Sequence, residues 1–385
     1  MNDFVYYNPT KIDFGIDKEK EIVKHLKEAS IKRILLVYGQ DSIKKSGLYD
    51  EITTLLSENN IEFVELGGIK SNPILSKVNE GIDKVRDSYI QAIVAVGGGS
   101  VIDSAKAIAC GVPYSGDVWD FFIKQSNIKE ALSLYTIVTL AASASEMNGN
   151  CVITNEKTKQ KYSISSPFLY PVVSMVNPQL MMSITNEYLA YSAVDIIAHA
   201  IEYYFSATTQ PNFNSSIVES IIKNVILTTR QLLKNPNDYS ARAEFAWISS
   251  WALNGLLSAG TKEGIFPNHM IEHSLSALYD IPHGAGLSIV IPAWMKWHKN
   301  QNIKQYQRFA KEVFALGTVD EGIEALENFF KEIGSPTTLY EVNISINDIG
   351  NIAKNAYELA KIWRMGDIYW VEKIVEILHL CKPLQ

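Results

Sequence analysis

Residues 92–106 read AIVAVGGGSVIDSAK, and this stretch decides the fold. The unbroken apolar run from Ala92 to Val96 is typical of a strand buried on both faces of a parallel sheet. Three glycines follow it, and a helix is predicted from Ser100 onward. A strand, a glycine-rich turn and a helix in this order direct free backbone N–H groups and the positive end of the helix dipole at one point. The stretch therefore predicts a phosphate or pyrophosphate site, although three glycines also suit a tight turn that binds nothing.

Similar apolar runs on either side of this stretch extend the pattern. Strands are predicted at 33–38, 61–66 and 135–140, with helical segments between them, which indicates a parallel sheet wound with helices on both faces. A hairpin is predicted from residues 151–154 and 161–164. From Thr185, a plausible helix N-cap, the periodicity becomes helical and includes a helix over 239–260.

The length of 385 residues exceeds what one hydrophobic core usually supports, so two domains are expected. We predict an α/β domain with a parallel sheet over residues 1–184 and an all-helical domain over residues 185–385.

Composition excludes several classes of protein. The net charge is −7 and no basic tract stands out, which argues against nucleic acid or an anionic membrane as a partner. The first residues do not resemble a secretory signal, and no apolar run approaches the roughly 20 residues of a membrane span. Three widely spaced cysteines, Cys110, Cys151 and Cys381, predict buried thiols in a reducing cytoplasm. A cytoplasmic protein is expected.

Four of the seven histidines fall within residues 185–283, near one aspartate. Asp195 and His199 are four residues apart and would share one helix face, and His269 and His273 repeat that spacing. His283 follows a proline and therefore a probable helix break. One carboxylate and three imidazoles suit Fe(II) or Zn(II). The spacing leaves open which three imidazoles bind, and the competing interpretation is that these are ordinary helix polar residues.

Together these motifs resemble the iron-containing (group III) alcohol dehydrogenases, and within that family the NADPH-dependent aldehyde reductases and butanol dehydrogenases. The resemblance covers essentially the whole chain. It implies a dinucleotide-binding α/β domain followed by an all-helical metal-binding domain, hydride transfer between NAD(P)H and a short-chain aldehyde or primary alcohol such as butanal or butanol, and a homodimer. The residues that carry it are Gly97-Gly98-Gly99-Ser100 with Asp103, Thr139 to Glu146, Asp195-x-x-x-His199-Ala200-Ile201-Glu202, and His269 with His283.

The resemblance also assigns the histidines. It implies that Asp195, His199, His269 and His283 bind the metal and that His273 lies near the nicotinamide and the substrate. We predict that His273 relays a proton, because imidazole titrates near neutral pH. His25 and His379 are expected at the surface.

Coenzyme binding is implied for twelve residues. An acidic residue after the strand at 33–38 would select NAD(H), and here that position is Gly39, with Ser42, Lys44 and Lys45 nearby, so NADP(H) is favoured over NAD(H). Three positions depart from the family pattern: Gln40 and Asp41 replace two glycines of the subgroup, and Ala144 replaces a family glycine. The implied coenzyme-binding residues are Gly39, Ser42, Asn72, Gly97, Gly98, Gly99, Ser100, Asp103, Thr139, Ser143, Asn148 and Lys161.

Two other functions are compatible with parts of this pattern. A metal-dependent lyase or cyclase similar to dehydroquinate synthase would need several basic residues for a phosphorylated acidic substrate, and residues 262–283 offer Lys262 and little else. A non-catalytic coenzyme-binding protein would be expected to lose metal ligands, and the set is intact. The sequence therefore favours the oxidoreductase.

Overall fold

The computed structural model describes residues 1–382 of the chain. Its strands are β1 (Lys11–Phe14), β2 (Arg33–Tyr38), β3 (Glu62–Leu66), β4 (Ala92–Gly97), β5 (Ser133–Val138), β6 (Asn150–Asn155), β7 (Gln160–Ser165) and β8 (Val173–Val176). Six of these strands form a parallel central sheet in the spatial order β1-β8-β5-β4-β2-β3, so the predicted parallel sheet is confirmed. The order in which strands are added reverses between β2 and β4, and ligands of such folds bind outside the carboxyl ends of the strands at this reversal.

The helices divide between two compact units. Residues 8–183 form the α/β unit; residues 1–7 belong to the helical unit with the chain from Ile184 onward, and the Asn2 N–H donates to the Gly260 carbonyl at 3.0 Å. The predicted fold class, an α/β unit followed by a helical one, is confirmed. The α-helices are α1 (Ile22–Glu28), α2 (Ser42–Lys45), α3 (Leu48–Glu58), α4 (Leu75–Ser88), α5 (Gly99–Gly111), α6 (Trp119–Phe122), α7 (Asn186–Ser206), α8 (Asn212–Lys234), α9 (Tyr239–Ala252), α10 (Pro267–Tyr279), α11 (His283–His298), α12 (Ile303–Phe314), α13 (Val319–Glu332), α14 (Ile349–Ile362) and α15 (Val371–His379).

Short 3₁₀ helices complete the chain. They lie at Lys18–Glu21, Ser145–Met147, Pro167–Leu169, Pro178–Met181, Lys299–Gln301, Tyr340–Val342 and Ile346–Asp348.

Two element boundaries differ from the prediction. The strand predicted at 135–140 runs from Ser133 to Val138, and it ends level with Gly97, the last residue of the neighbouring strand β4. The helix predicted over 239–260 ends at Ala252, and Gly255 then adopts φ +93°. Apolar residues continue past both ends, so periodicity alone overextends the elements.

The predicted hairpin is confirmed, since β6 and β7 pair antiparallel. The predicted N-cap of α7 is also confirmed, because the Thr185 side chain accepts from the Tyr188 N–H at 3.3 Å.

All three cysteines are buried free thiols, as predicted. Burial raises the pKa of Cys110 and of Cys381 to about 12. The surface prediction is wrong for His25, whose side chain is buried and whose Nε2 lies 2.5 Å from a carboxylate oxygen of Asp13. Within residues 1–382, no helix combines the length and the apolarity needed to cross a membrane.

Candidate functional site

Three helices bring the predicted metal-binding residues together. Asp195 and His199 lie one turn apart on α7, and His269 lies on the first turn of α10, which Pro267 begins. The C-cap of α10 is in the left-handed conformation, and His283 then starts α11 directly after a proline. The break between α10 and α11 therefore turns the chain so that His283 returns to the same point as His269.

The four side chains converge on one carboxylate oxygen. Asp195 Oδ1 lies 3.6 Å from Nε2 of His199, 3.6 Å from Nε2 of His269 and 3.6 Å from Nε2 of His283. These separations are too long for hydrogen bonds. They are close to the edge of about 3.4 Å that a tetrahedral ion with ligand bonds of about 2.1 Å would require. The geometry therefore fits a small divalent cation between the four atoms.

Unpartnered polar atoms support the same conclusion. Among the described residues, Asp195 Oδ1 and His269 Nε2 are buried and have no hydrogen-bond partner. Leaving buried polar atoms unsatisfied costs about 1–3 kcal/mol each. A cation at the point where they meet would satisfy both, so the residues present fit a metal ion.

The protonation states suit ligation at two of these positions. Burial acts to raise the pKa of Asp195, but the neighbouring imidazoles outweigh it and hold that pKa well below the usual range. Burial lowers the pKa of His199 to about 3. Burial also acts to lower the pKa of His269, but Asp195 and Glu202 raise it to about 9. A metal binding here would therefore displace a proton from His269.

Glu202 fixes the orientation of His269. This fully buried carboxylate lies one helical turn beyond His199 on α7. Its Oε1 lies 2.8 Å from His269 Nδ1 and accepts from the His269 backbone N–H at 2.9 Å, while Oε2 accepts from Asn268 Nδ2 at 3.0 Å. With its proton on Nδ1, the ring presents the Nε2 lone pair to Asp195.

Glu272 binds the Nδ1 of His283 as Glu202 binds that of His269. It is fully buried on α10, and its Oε2 hydrogen-bonds His283 Nδ1. Sequence analysis gave a role to neither Glu202 nor Glu272. Their spacing in the sequence could have indicated them. Glu202 lies seven residues after Asp195 and Glu272 lies three residues after His269, on the same helix faces.

His273 lies beside the cluster. Its ring is buried, 5.7 Å from the His283 ring and 5.5 Å from the Trp363 ring, measured between centroids. Glu272, His273 and His283 also offer ligand atoms close enough for an ion. However, Glu272 and His283 already hydrogen-bond each other, so the point next to Asp195 is the better cation position.

In the α/β unit, the glycine-rich turn connects β4 to α5. A Cβ at Gly97 would collide with Val101, and one at Gly99 would collide with Ser143. The glycines are thus needed for packing within the turn itself. The N-terminus of α5 has no side-chain cap, so its first N–H groups remain suited to an anion.

Other predicted coenzyme-binding residues lie near the same sheet edge. Gly39 and Thr139 follow β2 and β5, the two strands that flank β4. Asn72 and Lys161 are both buried and meet through a hydrogen bond of 3.1 Å from Lys161 Nζ to Asn72 Oδ1. Ser42 begins the exposed turn α2.

The side chains of Asp103 and Asn148 make hydrogen bonds within the protein. Asp103 Oδ1 accepts from Ser145 Oγ at 2.6 Å, and its Oδ2 accepts from the Val152 N–H at 2.9 Å. Asn148 Nδ2 donates to the Ala144 carbonyl at 2.8 Å. Both side chains therefore hold the loop that follows β5.

Lys106 is the centre of this network, and sequence analysis missed it. Its ammonium is fully buried and donates to Ser145 Oγ at 2.9 Å, to the Asn148 carbonyl at 2.8 Å, to Asn148 Oδ1 at 3.1 Å and to the Asn150 carbonyl at 2.8 Å. Burial lowers its pKa to about 8. The available signal was a lysine three residues after Asp103, inside an apolar helix.

Ala144 departs from a family glycine, and its conformation explains why glycine suits this position. It has φ 51° and ψ 22°, in the left-handed region. A residue with a Cβ pays about 1–2 kcal/mol there. The hydrogen bond from Asn148 to its carbonyl helps to hold the strained turn.

Known proteins of one family match nearly the whole length of the chain. Residues 9–178 match the model of the iron-containing alcohol dehydrogenases, and residues 189–380 match that of the C-terminal domain of the Fe-containing alcohol dehydrogenase family. The chain is 38% identical to the probable NADH-dependent butanol dehydrogenase 1 of Bacillus subtilis, over 92% of this chain and 94% of that protein. It is 30% identical to the NADPH-dependent aldehyde reductase YqhD of Escherichia coli, over 93% and 94%. The crystal structure of an NADH-dependent butanol dehydrogenase A from Thermotoga maritima superimposes with a TM-score of 0.96 at 43% identity, covering 99% of both chains.

Replacing Lys106 by Met should lower the free energy of unfolding by about 3–5 kcal/mol, because it leaves the oxygens of Ser145, Asn148 and Asn150 without their donor and the buried Asp103 carboxyl group without its neighbouring positive charge. Denaturant unfolding of the full chain measures the loss. Lys129→Met makes the same chemical change at an exposed position and should leave the unfolding midpoint unchanged. A Lys106→Met protein as stable as this control would contradict the role given to the lysine.

Proposed function

Because the chain belongs to the iron-containing alcohol dehydrogenase family, it is an NAD(P)H-dependent oxidoreductase of alcohols and aldehydes, and we propose that it interconverts short-chain aldehydes and primary alcohols such as butanal and butanol. The convergence of three imidazoles on Asp195 is the observation that carries this proposal. Relatives named butanol dehydrogenases, at 35–38% identity, support the substrate class. The predicted oxidoreductase is thereby favoured over the lyase or cyclase.

We propose that Asp195, His199, His269 and His283 would hold Fe(II) or Zn(II). Support comes from the equal distances to Asp195 Oδ1 and from the unpartnered buried atoms. The donor set of one carboxylate and three imidazoles suits either metal.

The reaction divides between the bound groups and the protein. When bound, the metal supplies a Lewis acid for the substrate oxygen and the nicotinamide supplies the hydride. The residues of the chain hold and orient these groups: Glu202 and Glu272 fix the imidazole rings, and the turn at Gly97–Ser100 would receive the coenzyme pyrophosphate.

We propose His273 as the proton relay. Its ring lies beside that of His283, with 5.7 Å between the two ring centroids. An imidazole in this position can exchange a proton with substrate at neutral pH.

The coenzyme preference is proposed to depend on residues 39–45. The glycine at position 39 favours NADP(H), whereas Asp41 is exposed and would repel a 2′-phosphate. Lys44 lies over the rings of Tyr38 and Tyr49, at 5.3 and 4.9 Å from their centroids. The relatives at 35–38% identity are named NADH-dependent, and the aldehyde reductase at 30% is named NADPH-dependent. NADP(H) preference, a homodimer and a cytoplasmic location stay predictions.

The direct test of the function is NAD(P)H oxidation with butanal by protein reconstituted with Fe(II) or Zn(II). We expect metal-dependent turnover in the wild type, and loss of both turnover and bound metal in His269→Ala. His379→Ala removes an exposed histidine and should retain both. Full metal content in His269→Ala would overturn the ligand set. Bound metal without turnover for any short aldehyde would overturn the proposed reaction.

Replacing His273 by Ala should lower kcat roughly 10²-fold or more and remove one ionisation from the pH profile of kcat, because general acid–base groups contribute about 10²–10⁴-fold. Steady-state kinetics from pH 5 to 10 measure this. An unchanged pH profile with a raised coenzyme KM would instead show that the ring only packs against the coenzyme.

Replacing Asp41 by Asn should raise the ratio of kcat/KM for NADPH to that for NADH about fivefold, since removing one exposed charge near a phosphate is worth roughly 1 kcal/mol. The wild type is expected to prefer NADPH. Asp87→Asn, at another exposed position of the same unit, should leave the ratio unchanged. A wild type that prefers NADH would contradict the predicted coenzyme preference but would not contradict the proposed oxidoreductase activity.

A further inference from the structure

His283 differs from the other three proposed ligands in its exposure and in its position at the start of a helix. Its side chain is 26% exposed, whereas those of Asp195, His199 and His269 are 6–7% exposed. It is also the first residue of α11, so no preceding helical turn holds its backbone. A side-chain contact can therefore contribute to fixing its position.

Glu272 provides such a contact. It is fully buried on α10, and its two carboxylate oxygens have different partners. Oε2 hydrogen-bonds His283 Nδ1, and Oε1 accepts from Ser276 Oγ. Ser276 lies one turn farther along α10, so it fixes the carboxylate to its own helix and leaves the other oxygen directed at α11.

The packing of α11 leaves space for this carboxylate. Gly286 lies in the first turn of α11, and a Cβ there would come within 2.7 Å of Glu272 Cγ and 2.7 Å of Glu272 Oε1. Glycine is a poor residue for a helix interior. Its presence is explained by the space that Glu272 requires, which is a second and independent sign that the contact is specific.

The contact also selects a tautomer. With the proton on Nδ1 and directed at Glu272, His283 presents the lone pair of Nε2, which lies 3.6 Å from Asp195 Oδ1. A carboxylate on the far nitrogen makes an imidazole a stronger ligand. His199 has no such partner among residues 1–382, because its buried Nδ1 makes no hydrogen bond.

We propose that Glu272 is the positioning residue of His283, and that its negative charge sets the strength with which the site holds a divalent metal. Glu272 acts through the imidazole and does not itself contact the metal. This inference rests on the proposed ligand set.

The test measures Co(II) binding by the full-length protein, using competition with a chelating dye and the visible absorption bands of bound Co(II). Glu272→Ala should weaken Co(II) binding about 10–100-fold, the usual effect of losing such a partner, and should alter the bands because His283 is no longer held. Glu272→Gln keeps an oxygen that can accept from Nδ1 but loses the charge, and should fall between Glu272→Ala and the wild type. Glu244→Gln, at an exposed position of the same unit, should match the wild type.

Gly286→Ala provides an independent test with Glu272 still present. The added methyl should displace the carboxylate and reproduce the weakening seen for Glu272→Ala. Gly350→Ala, in α14, adds the same methyl where nothing lies within 4 Å and should bind Co(II) like the wild type. If Glu272→Ala does not fold, Glu272→Gln and Gly286→Ala still decide the question.

The possible binding results distinguish the positioning role of Glu272 from the proposed ligand set. Wild-type affinity and bands in Glu272→Ala and Gly286→Ala would overturn the positioning role and leave the proposed function intact. Wild-type affinity in His283→Ala would overturn the ligand set and this inference with it. Weakened binding in Glu272→Ala with intermediate binding in Glu272→Gln would establish that both the contact and the charge contribute.

Discussion

Three imidazole nitrogens face a single oxygen of Asp195, at equal distances and largely out of contact with water. Two of these nitrogens, on His269 and His283, can present lone pairs because carboxylates bind the opposite side of each ring. Lone pairs directed at a carboxylate oxygen repel one another unless a cation lies between them. The side chains that α7, α10 and α11 direct at this point therefore suit a positive charge, and the hydrogen bonds of Glu202 and Glu272 link α7 to α10 and α10 to α11 there.

The same groups place acidic side chains around the site. Asp195, Glu202 and Glu272 are all buried, and each lies against at least one of the imidazoles. The imidazoles hold the pKa of Asp195 well below its usual range, so a divalent ion between these side chains would lie next to an opposite charge.

Sequence reasoning identified the fold and the candidate polar pairs because both depend on periodicity, whereas the ligand set and the coenzyme-binding residues were implied by the family resemblance. Unbroken apolar runs predicted β2 and β4, and spacing of four residues predicted the polar pairs on α7 and α10. Spacing could not tell which three of the four histidines belong to the set, because that depends on how the chain turns between α10 and α11; the family resemblance implied the choice.

Nor could sequence reasoning assign Glu202, Glu272 or Lys106. A charged residue in a helix looks the same in sequence whether it meets solvent or a buried partner, and the partners of Glu202 and Lys106 lie 67 and about 40 residues away. The ends of β5 and α9 were missed for a related reason, since their last residues are set by tertiary hydrogen bonds and by backbone conformation.

The three cysteines have a consequence for how such an enzyme would respond to oxygen. Sulfur is oxidised through the thiolate, and burial keeps Cys110 and Cys381 protonated at any physiological pH, with pKa values near 12. Burial also raises the pKa of Cys151 far above its ordinary value. Peroxide would therefore find no reactive sulfur among these residues. If air inactivates the protein, the damage should be sought at the metal and the imidazoles around it, and a thiol reductant should not restore the lost activity.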